Sequence, residues 1–389
     1  MKIGIPKEIA SGEHRVAATP ETITKMVNTG MEVCIESGAG LSAYISDKAY
    51  EEAGAKIVMP SDSVLAQADV ILKVQRPLFN ENKKSHEVDL MKENTILIAP
   101  LFPTQHPDLI IKLNAKKIST FSLDLLPRIA RAQSMDILSS MSNLAGYKSV
   151  IMAADQLGKI FPMMTTAAGT ILPAKIIVIG AGVAGLQAIA TARRLGGVVL
   201  AFDTRPVVEE QVKSLGADFV SLETSHEQSQ DTQGYAKEQS AEFYKNEQEI
   251  IRKHLKDVDV IITTALIPGK RAPILITEQM IREMKPGSVL VDLAIEQQGN
   301  CELTEPGKIV TKHDVTLIGM LNIPSMIPVH ASQLYSRNLY SFLNYIVPGL
   351  KTSSLDLTDD LIKGALVTYQ GEIVNTNVKQ IVEKLTSTA

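Results

Sequence analysis

Apolar and polar positions along this chain alternate in short blocks of two kinds. Runs such as "KIGIP", "MEVCIE", "KIVM", "DVILKVQRP", "TILIAP" and "KISTFSL" have the length and continuity of buried strands, while "TPETITKMVNTG", "DKAYEEAGA" and "SVLAQA" space their apolar residues as helices do. "TPETITKMVNTG" also carries its own boundary signals: Thr19 as N-cap, Pro20 at the first helical position and Gly30 past the end. Strand and helix in alternation predict a parallel sheet covered by helices on both faces.

From Asp136 to about Phe161, "DILSSMSNLAGYKSVIMAADQLGKIF" repeats apolar residues near every third or fourth position without an internal proline, which predicts one long helix between two domains. A second series of blocks follows in "AKIIVIGAGVAGLQAIATARRLGGVVLAFDTRP", "ADFVSL", "VDVIITTAL", "GSVLVDLA" and "VTLIGM", so a second doubly wound sheet is expected. "SQLYSRNLYSFLNYIV" predicts another long helix that carries the chain back to the first domain, because the tail "DLIKGALVTYQGEIV" is too short to stand alone. The expected domains are residues 1–127 with 328–389, and residues 128–327, with a cleft between them. One polar segment breaks the pattern, from Glu223 into "EFYKNEQEIIRKH". It predicts a solvated, mobile loop near 223–245 that runs into a surface helix; loops of this length are often lids, and Gly234 and Tyr235 lie in its middle.

At 389 residues the chain is long for one core and ordinary for two. A net charge of -4 and an aromatic content of 4% without Trp give no reason to expect nucleic acid or anionic lipid as a partner. No apolar run approaches the roughly 20 residues that span a bilayer, and the start lacks a secretory pattern, so a cytoplasmic protein is expected. Cys34 and Cys301 lie far apart and outside any metal or redox spacing; both read as small buried hydrophobes. His330 reads as an ordinary histidine, and Met163 and Met164 as core filling.

The block with chemistry in it is "AKIIVIGAGVAGLQAIATARRLGGVVLAFDTRP". A β-branched strand, 175–179, runs into Gly180, Gly182 and Gly185 as G-x-G-x-x-G, and a helix follows at once. The first glycine permits the tight turn, the second lets backbone approach a pyrophosphate, and the third lets helix and strand close up, while the helix N-terminus faces the phosphates. The next strand ends in Asp203, about 20 residues on, where a carboxylate accepts from the adenosine ribose hydroxyls and repels a 2′-phosphate. That favours NAD(H) over NADP(H). Arg205 points the other way, since Arg accommodates a 2′-phosphate, but Asp203 occupies the deciding position. Val183 at the helix start and Thr204 beside Asp203 complete the expected contacts. The expected fold class is therefore α/β, with two Rossmann-like doubly wound parallel-sheet domains joined by long helices.

"GIPKE" with "EHRVAATPET", "LKVQRP", "PRIARAQSMDILSSMSNLAGYKSV", "GAGVAGLQAIATARRLGG" with "FDTRP", "QGYAKE" and "VDLAIEQQGN" together resemble the alanine dehydrogenase and pyridine nucleotide transhydrogenase family over essentially the whole length. Its amino-acid dehydrogenase branch implies a cationic clamp for a small carboxylate, with a catalytic His and an Asp. The chain keeps clamp-like Arg15 and Lys73, yet "ILIAPLFP" has no His before His106, and "AIEQQGN" has Glu296 where that branch has Asp. A hydride passed between two nicotinamides transfers no proton and needs positioning in a water-excluding site instead.

The resemblance implies that Arg128, Gln133 and Asp136, with Ser139 one turn on, hold the nicotinamide end: Gln133 on ribose hydroxyls, and Arg128 paired with Asp136 on the carboxamide side. The competing view is that Ser134 and Asp136 simply cap the long helix, which leaves Gln133 unexplained. The resemblance also implies a lid at Gly234 and Tyr235, and contacts from Thr264 and Leu266 to the adenosine half, although Leu266 suits a core position equally. The transhydrogenase branch implies NAD(H) bound here, NADP(H) on a partner domain III, a proton-translocating membrane domain II, a homodimer, and peripheral attachment to the inner membrane. Because the chain reaches Ala389 without a membrane helix, those partners are expected on other polypeptides. Two alternatives stay open: a self-sufficient amino-acid dehydrogenase, and a non-catalytic NAD(H)-binding module.

Overall fold

The computed structural model describes residues 1–59, 61–220, 240–267, 270–351 and 355–388. Gly234 and Tyr235 lie outside the described residues. The chain forms two compact units, Met1–Met141 with Ser325–Ala389, and Ser142–Pro324.

In the first unit, eight strands pair in the order Glu372–Ile373, Leu366–Tyr369, Ser119–Ser122, Ile96–Ala99, Val70–Leu72, Lys2–Ile5, Glu32–Glu36, Lys56–Val58. The six from Ser119–Ser122 onward are parallel, and Leu366–Tyr369 joins them antiparallel. The tail thus extends the first sheet, and Thr120 Oγ1 meets Thr368 Oγ1 at 2.8 Å inside the seam.

The second unit orders its strands Asp218–Val220, Val198–Phe202, Lys175–Ile179, Val260–Thr263, Val289–Asp292, Val315–Ile318, with Ile309–Lys312 antiparallel at the edge. Side chains alternate across the central strand. Ile176 and Val178 pack with Ala188, Ile189 and Ala192 on one face, and Ile177 and Ile179 with Ile251 and Leu255 on the other. Both units are doubly wound α/β sheets. Chain direction across each sheet reverses beside its first strand, and the crevice outside the strands' carboxyl ends at that point is where such folds bind ligands.

The helix that opens at Ile137 closes at Gln156, short of the expected Phe161. Gly158 and Pro162 follow, poor continuations of a helix, and the chain turns into a hairpin of Met164–Thr166 and Gly169–Ile171. Met163 and Met164 sit on this hairpin, 63% and 45% exposed, so they do not fill a core; two strands without a covering layer cannot bury both faces. The long C-terminal helix runs Pro328–Lys351 within the first unit. Pro20–Asn28 is helical with Thr19 as its N-cap. Cys34 and Cys301 are buried and unbonded to each other. Among the described residues, no helix is long and apolar enough to cross a membrane.

Candidate functional site

The glycine turn lies at the carboxyl end of Lys175–Ile179, beside the point where the second sheet reverses. Gly180 has φ +95°, and a Cβ there would stand 2.6 Å from Thr264 Oγ1. At Gly185 an added Cβ would stand 1.8 Å from the Gly180 carbonyl oxygen, so helix and turn touch backbone to backbone. Thr264 fastens the turn from the next strand: its N–H donates to the Ile179 carbonyl at 2.8 Å, and its hydroxyl to the Gly180 carbonyl at 2.9 Å. Gly182 is the N-cap of Val183–Arg194, and no side chain caps that helix. Its first N–H groups are therefore offered outward, as a pyrophosphate requires. Val183 is half-buried, and Leu266, 37% exposed, belongs to the surface rather than the core.

Asp203 is buried at the end of the neighbouring strand. Its Oδ2 accepts from the Ala181 N–H at 2.7 Å, tying it to the glycine turn, and from Arg205 Nη2 at 2.9 Å. Its Oδ1 accepts from the Arg205 N–H at 2.8 Å and from Arg205 Nε at 2.9 Å. Thr204, between them, is half-buried. The turn, the bare helix start and this carboxylate together fit the pyrophosphate and adenosine ribose of a dinucleotide.

Sequence reasoning missed Glu247. It lies on the helix Ala241–Leu255 and is only 3% exposed, with no hydrogen bond to another described residue. Burial, and after it the charge of Asp203, push its carboxyl up to about 8. A signal was available: Glu247 stands at i, i+4 and i+8 with Ile251 and Leu255, which places a carboxyl on an apolar face.

The "VDLAIEQQGN" turn serves the same end of the sheet. Asn300 Nδ2 donates to the Ala265 carbonyl at 2.9 Å and its Oδ1 accepts from the Ala265 N–H at 3.1 Å. Buried Asp292 holds Asn300 in turn by accepting its N–H at 2.9 Å. Glu296 accepts the Asn322 N–H at 2.7 Å.

In the first unit, Ala130–Met135 forms a 3₁₀ turn ahead of the long helix. Ala132 and Met135 anchor it in the core, and the Ser134 carbonyl accepts from Asn338 Nδ2 at 2.9 Å. Asp136 Oδ1 accepts the Ser139 N–H at 2.9 Å, and its Oδ2 the Ser139 hydroxyl at 2.5 Å, so this carboxylate caps the helix. Gln133 and Arg128 are exposed on either side of the same turn.

At the reversal point of the first sheet, the chain's own side chains fill the crevice. Lys73 Nζ, fully buried, donates to Glu8 Oε2 at 3.0 Å and Glu87 Oε1 at 2.9 Å. Arg15 forks onto Glu13 through Nε at 2.7 Å and Nη2 at 2.6 Å, and Gln75 Nε2 adds a bond to Glu13 at 2.7 Å. Burial opposes the Glu13 charge, but the Arg15 guanidinium overrides it and holds that carboxyl at about 2. Burial pushes Glu8 up. The clamp-like cations thus already face carboxylates. Beyond Ile96–Ala99, Asp124 Oδ1 accepts the Leu101 N–H at 3.0 Å, and His106 only precedes the helix Pro107–Ala115, its ring pulled down by burial. His330 is exposed. Among the described residues, no group of three or more His, Cys, Asp or Glu is placed to hold a metal ion.

Residues 4–145 match the alanine dehydrogenase/PNT N-terminal domain family, and residues 149–376 the C-terminal domain family. The chain is 50% identical to an NAD(P) transhydrogenase subunit alpha chain of Rhodospirillum rubrum, covering 96% of this chain and 98% of that protein. It is 31% identical to an alanine dehydrogenase of Staphylococcus epidermidis, covering 97% and 96%. The solved transhydrogenase from Sinorhizobium meliloti superposes with a TM-score of 0.83 at 41% identity, covering 97% of this chain and all of that one.

Proposed function

This chain belongs to the alanine dehydrogenase/PNT family, and we propose that within it the protein is the NAD(H)-binding component of an NAD(P) transhydrogenase. The nucleotide, when bound, supplies or accepts the hydride that is exchanged directly with NADP(H) on a partner domain III. A membrane domain II on another chain couples that exchange to proton translocation. In this reading the chain is a homodimer docked on the inner membrane through its partners.

The observation that carries the choice of branch is the stretch after Ile96–Ala99, where "PLFP" offers no histidine for substrate acid–base work. Arg15 and Lys73, each held by carboxylates, add no vacant clamp for a keto acid. In the second unit, the Gly182 helix start and the Ala181 backbone receive the pyrophosphate, and Asp203 receives the adenosine ribose. In the first unit, Gln133 presents a neutral amide for ribose hydroxyls near the reacting ring. Asp136 and Ser139 hold the turn that carries it, and Arg128 flanks it. Thr264 and Leu266 line the adenosine half, and Gly234 with Tyr235 close over it.

The test assays the purified chain for NADH oxidation with pyruvate plus ammonia, and then with an NADP(H)-loaded domain III. Hydride transfer only in the second mixture is expected. Turnover with pyruvate and ammonia alone would overturn the reading in favour of an amino-acid dehydrogenase, and tight NADH binding without transfer in either would favour a binding module.

A further inference from the structure

An ionised carboxylate offers four lone-pair positions, and at Asp203 all four are taken. Two go to backbone N–H groups, Ala181 at 2.7 Å and Arg205 at 2.8 Å, which the fold itself supplies. The other two go to Nε and Nη2 of Arg205, both at 2.9 Å. A ribose diol therefore finds no acceptor on Asp203 until something leaves. The backbone donors cannot leave without undoing the glycine turn. The guanidinium can, because it ends a long side chain that is 16% exposed. Its fork presents two N–H donors to one carboxylate, which is what a vicinal diol presents with two O–H groups.

We propose that the Arg205 guanidinium is an internal stand-in for the adenosine ribose diol, displaced from Asp203 when the nucleotide binds. The proposal rests on the nucleotide site described above and adds a specificity role to it. The nearest atom to a Cβ added at Gly182 is Arg205 Nη2, at 3.9 Å, so the guanidinium already stands beside the helix start. Once displaced it stays tethered there as a cation. An NAD(H) ribose competes with it for Asp203; a 2′-phosphate, which brings no donor to Asp203 at that position, pairs with it instead. Arg205 thus weakens NAD(H) binding and supports NADP(H) binding, narrowing the discrimination that Asp203 makes.

The test measures NADH and NADPH affinity of the full chain by nucleotide fluorescence, and 5′-AMP affinity by calorimetry, for wild type, Arg205→Ala and Arg205→Lys. Arg205→Ala is expected to tighten NADH and 5′-AMP about three- to tenfold, the worth of a partly shielded charge-assisted pair, and to weaken NADPH by a similar factor. These opposite signs are not what general loosening of the turn produces. Arg205→Lys, whose single ammonium cannot fork onto both oxygens, is expected to lie between, and it carries the test should the Ala variant fail to fold. Unchanged or weakened NADH binding in the variants overturns the proposal, as does a structure with 5′-AMP in which Arg205 remains forked on Asp203. If wild type binds neither NADH nor 5′-AMP, the nucleotide site itself is refuted and the displacement falls with it.

Discussion

A Cβ added to Gly185 would stand 1.8 Å from the carbonyl oxygen of Gly180, closer than any non-bonded pair of these atoms tolerates. The obstacle is backbone, which cannot rotate away as a side chain does. Gly185→Ala must push the helix Val183–Arg194 off the turn, at a cost of about 1–3 kcal/mol or more. The expected result is a lower melting temperature together with loss of NADH binding. Gly158→Ala, where an added Cβ meets nothing within 4 Å, is the matched control, expected to stay within about 0.5 kcal/mol of wild type.

Glu247 predicts a pH dependence of defined sign. Its folded-state carboxyl is pushed up to about 8 from an ordinary value of 4.5, so between those values the folded state holds a proton that the unfolded state has released. Stability from this group therefore falls as pH rises through that window. Glu247→Gln keeps the shape of the protonated acid and removes the titration. In urea unfolding the variant should match wild type near the acid end and exceed it by on the order of a few kcal/mol above pH 8. Parallel stability curves for the two proteins would show that Glu247 does not titrate in this window.

Lys73 neutralises two buried carboxylates, Glu8 and Glu87. Lys73→Met leaves both without their cation, and an uncompensated buried charge costs about 3–5 kcal/mol. A triple variant that adds Glu8→Gln and Glu87→Gln should regain most of that loss, as read by denaturant midpoints. Equal instability of the single and triple variants would mean that Lys73 acts through packing.

Gln133 and Asp136 separate by readout. Asp136→Ala removes the cap on the Ser139 N–H and should cost about 1 kcal/mol of stability. Gln133, exposed and without a side-chain hydrogen bond to another described residue, should tolerate Gln133→Asn with no change in melting. Its effect is expected in hydride transfer to NADP(H)-loaded domain III, slowed far more than NADH binding is weakened. Equal losses in both would remove Gln133 from the reacting end.

Much of this was legible along the chain, and the misses share a cause. The strands, the Pro20–Asn28 helix and the glycine turn follow from residues near one another in sequence. Met163 and Met164 misled because apolar residues signal burial only where another layer covers them, and the Met164–Ile171 hairpin has none. Helix spacing past Gln156 misled because apolar periodicity persisted into a stretch that Gly158 and Pro162 break.

By itself the sequence determined the element types, the doubly wound α/β class, the Gly180–Gly185 turn and the acid that follows it, since each depends on local backbone preference and short-range spacing. Tertiary structure decided which charges meet. Lys73 reaches Glu8 across 65 residues of chain, and Asp203 gains Glu247 as a neighbour through a helix laid on the sheet. Even Arg205, two residues from Asp203, shows its role only in three dimensions, because the acceptors of a carboxylate can be counted only once the backbone donors around it are in place.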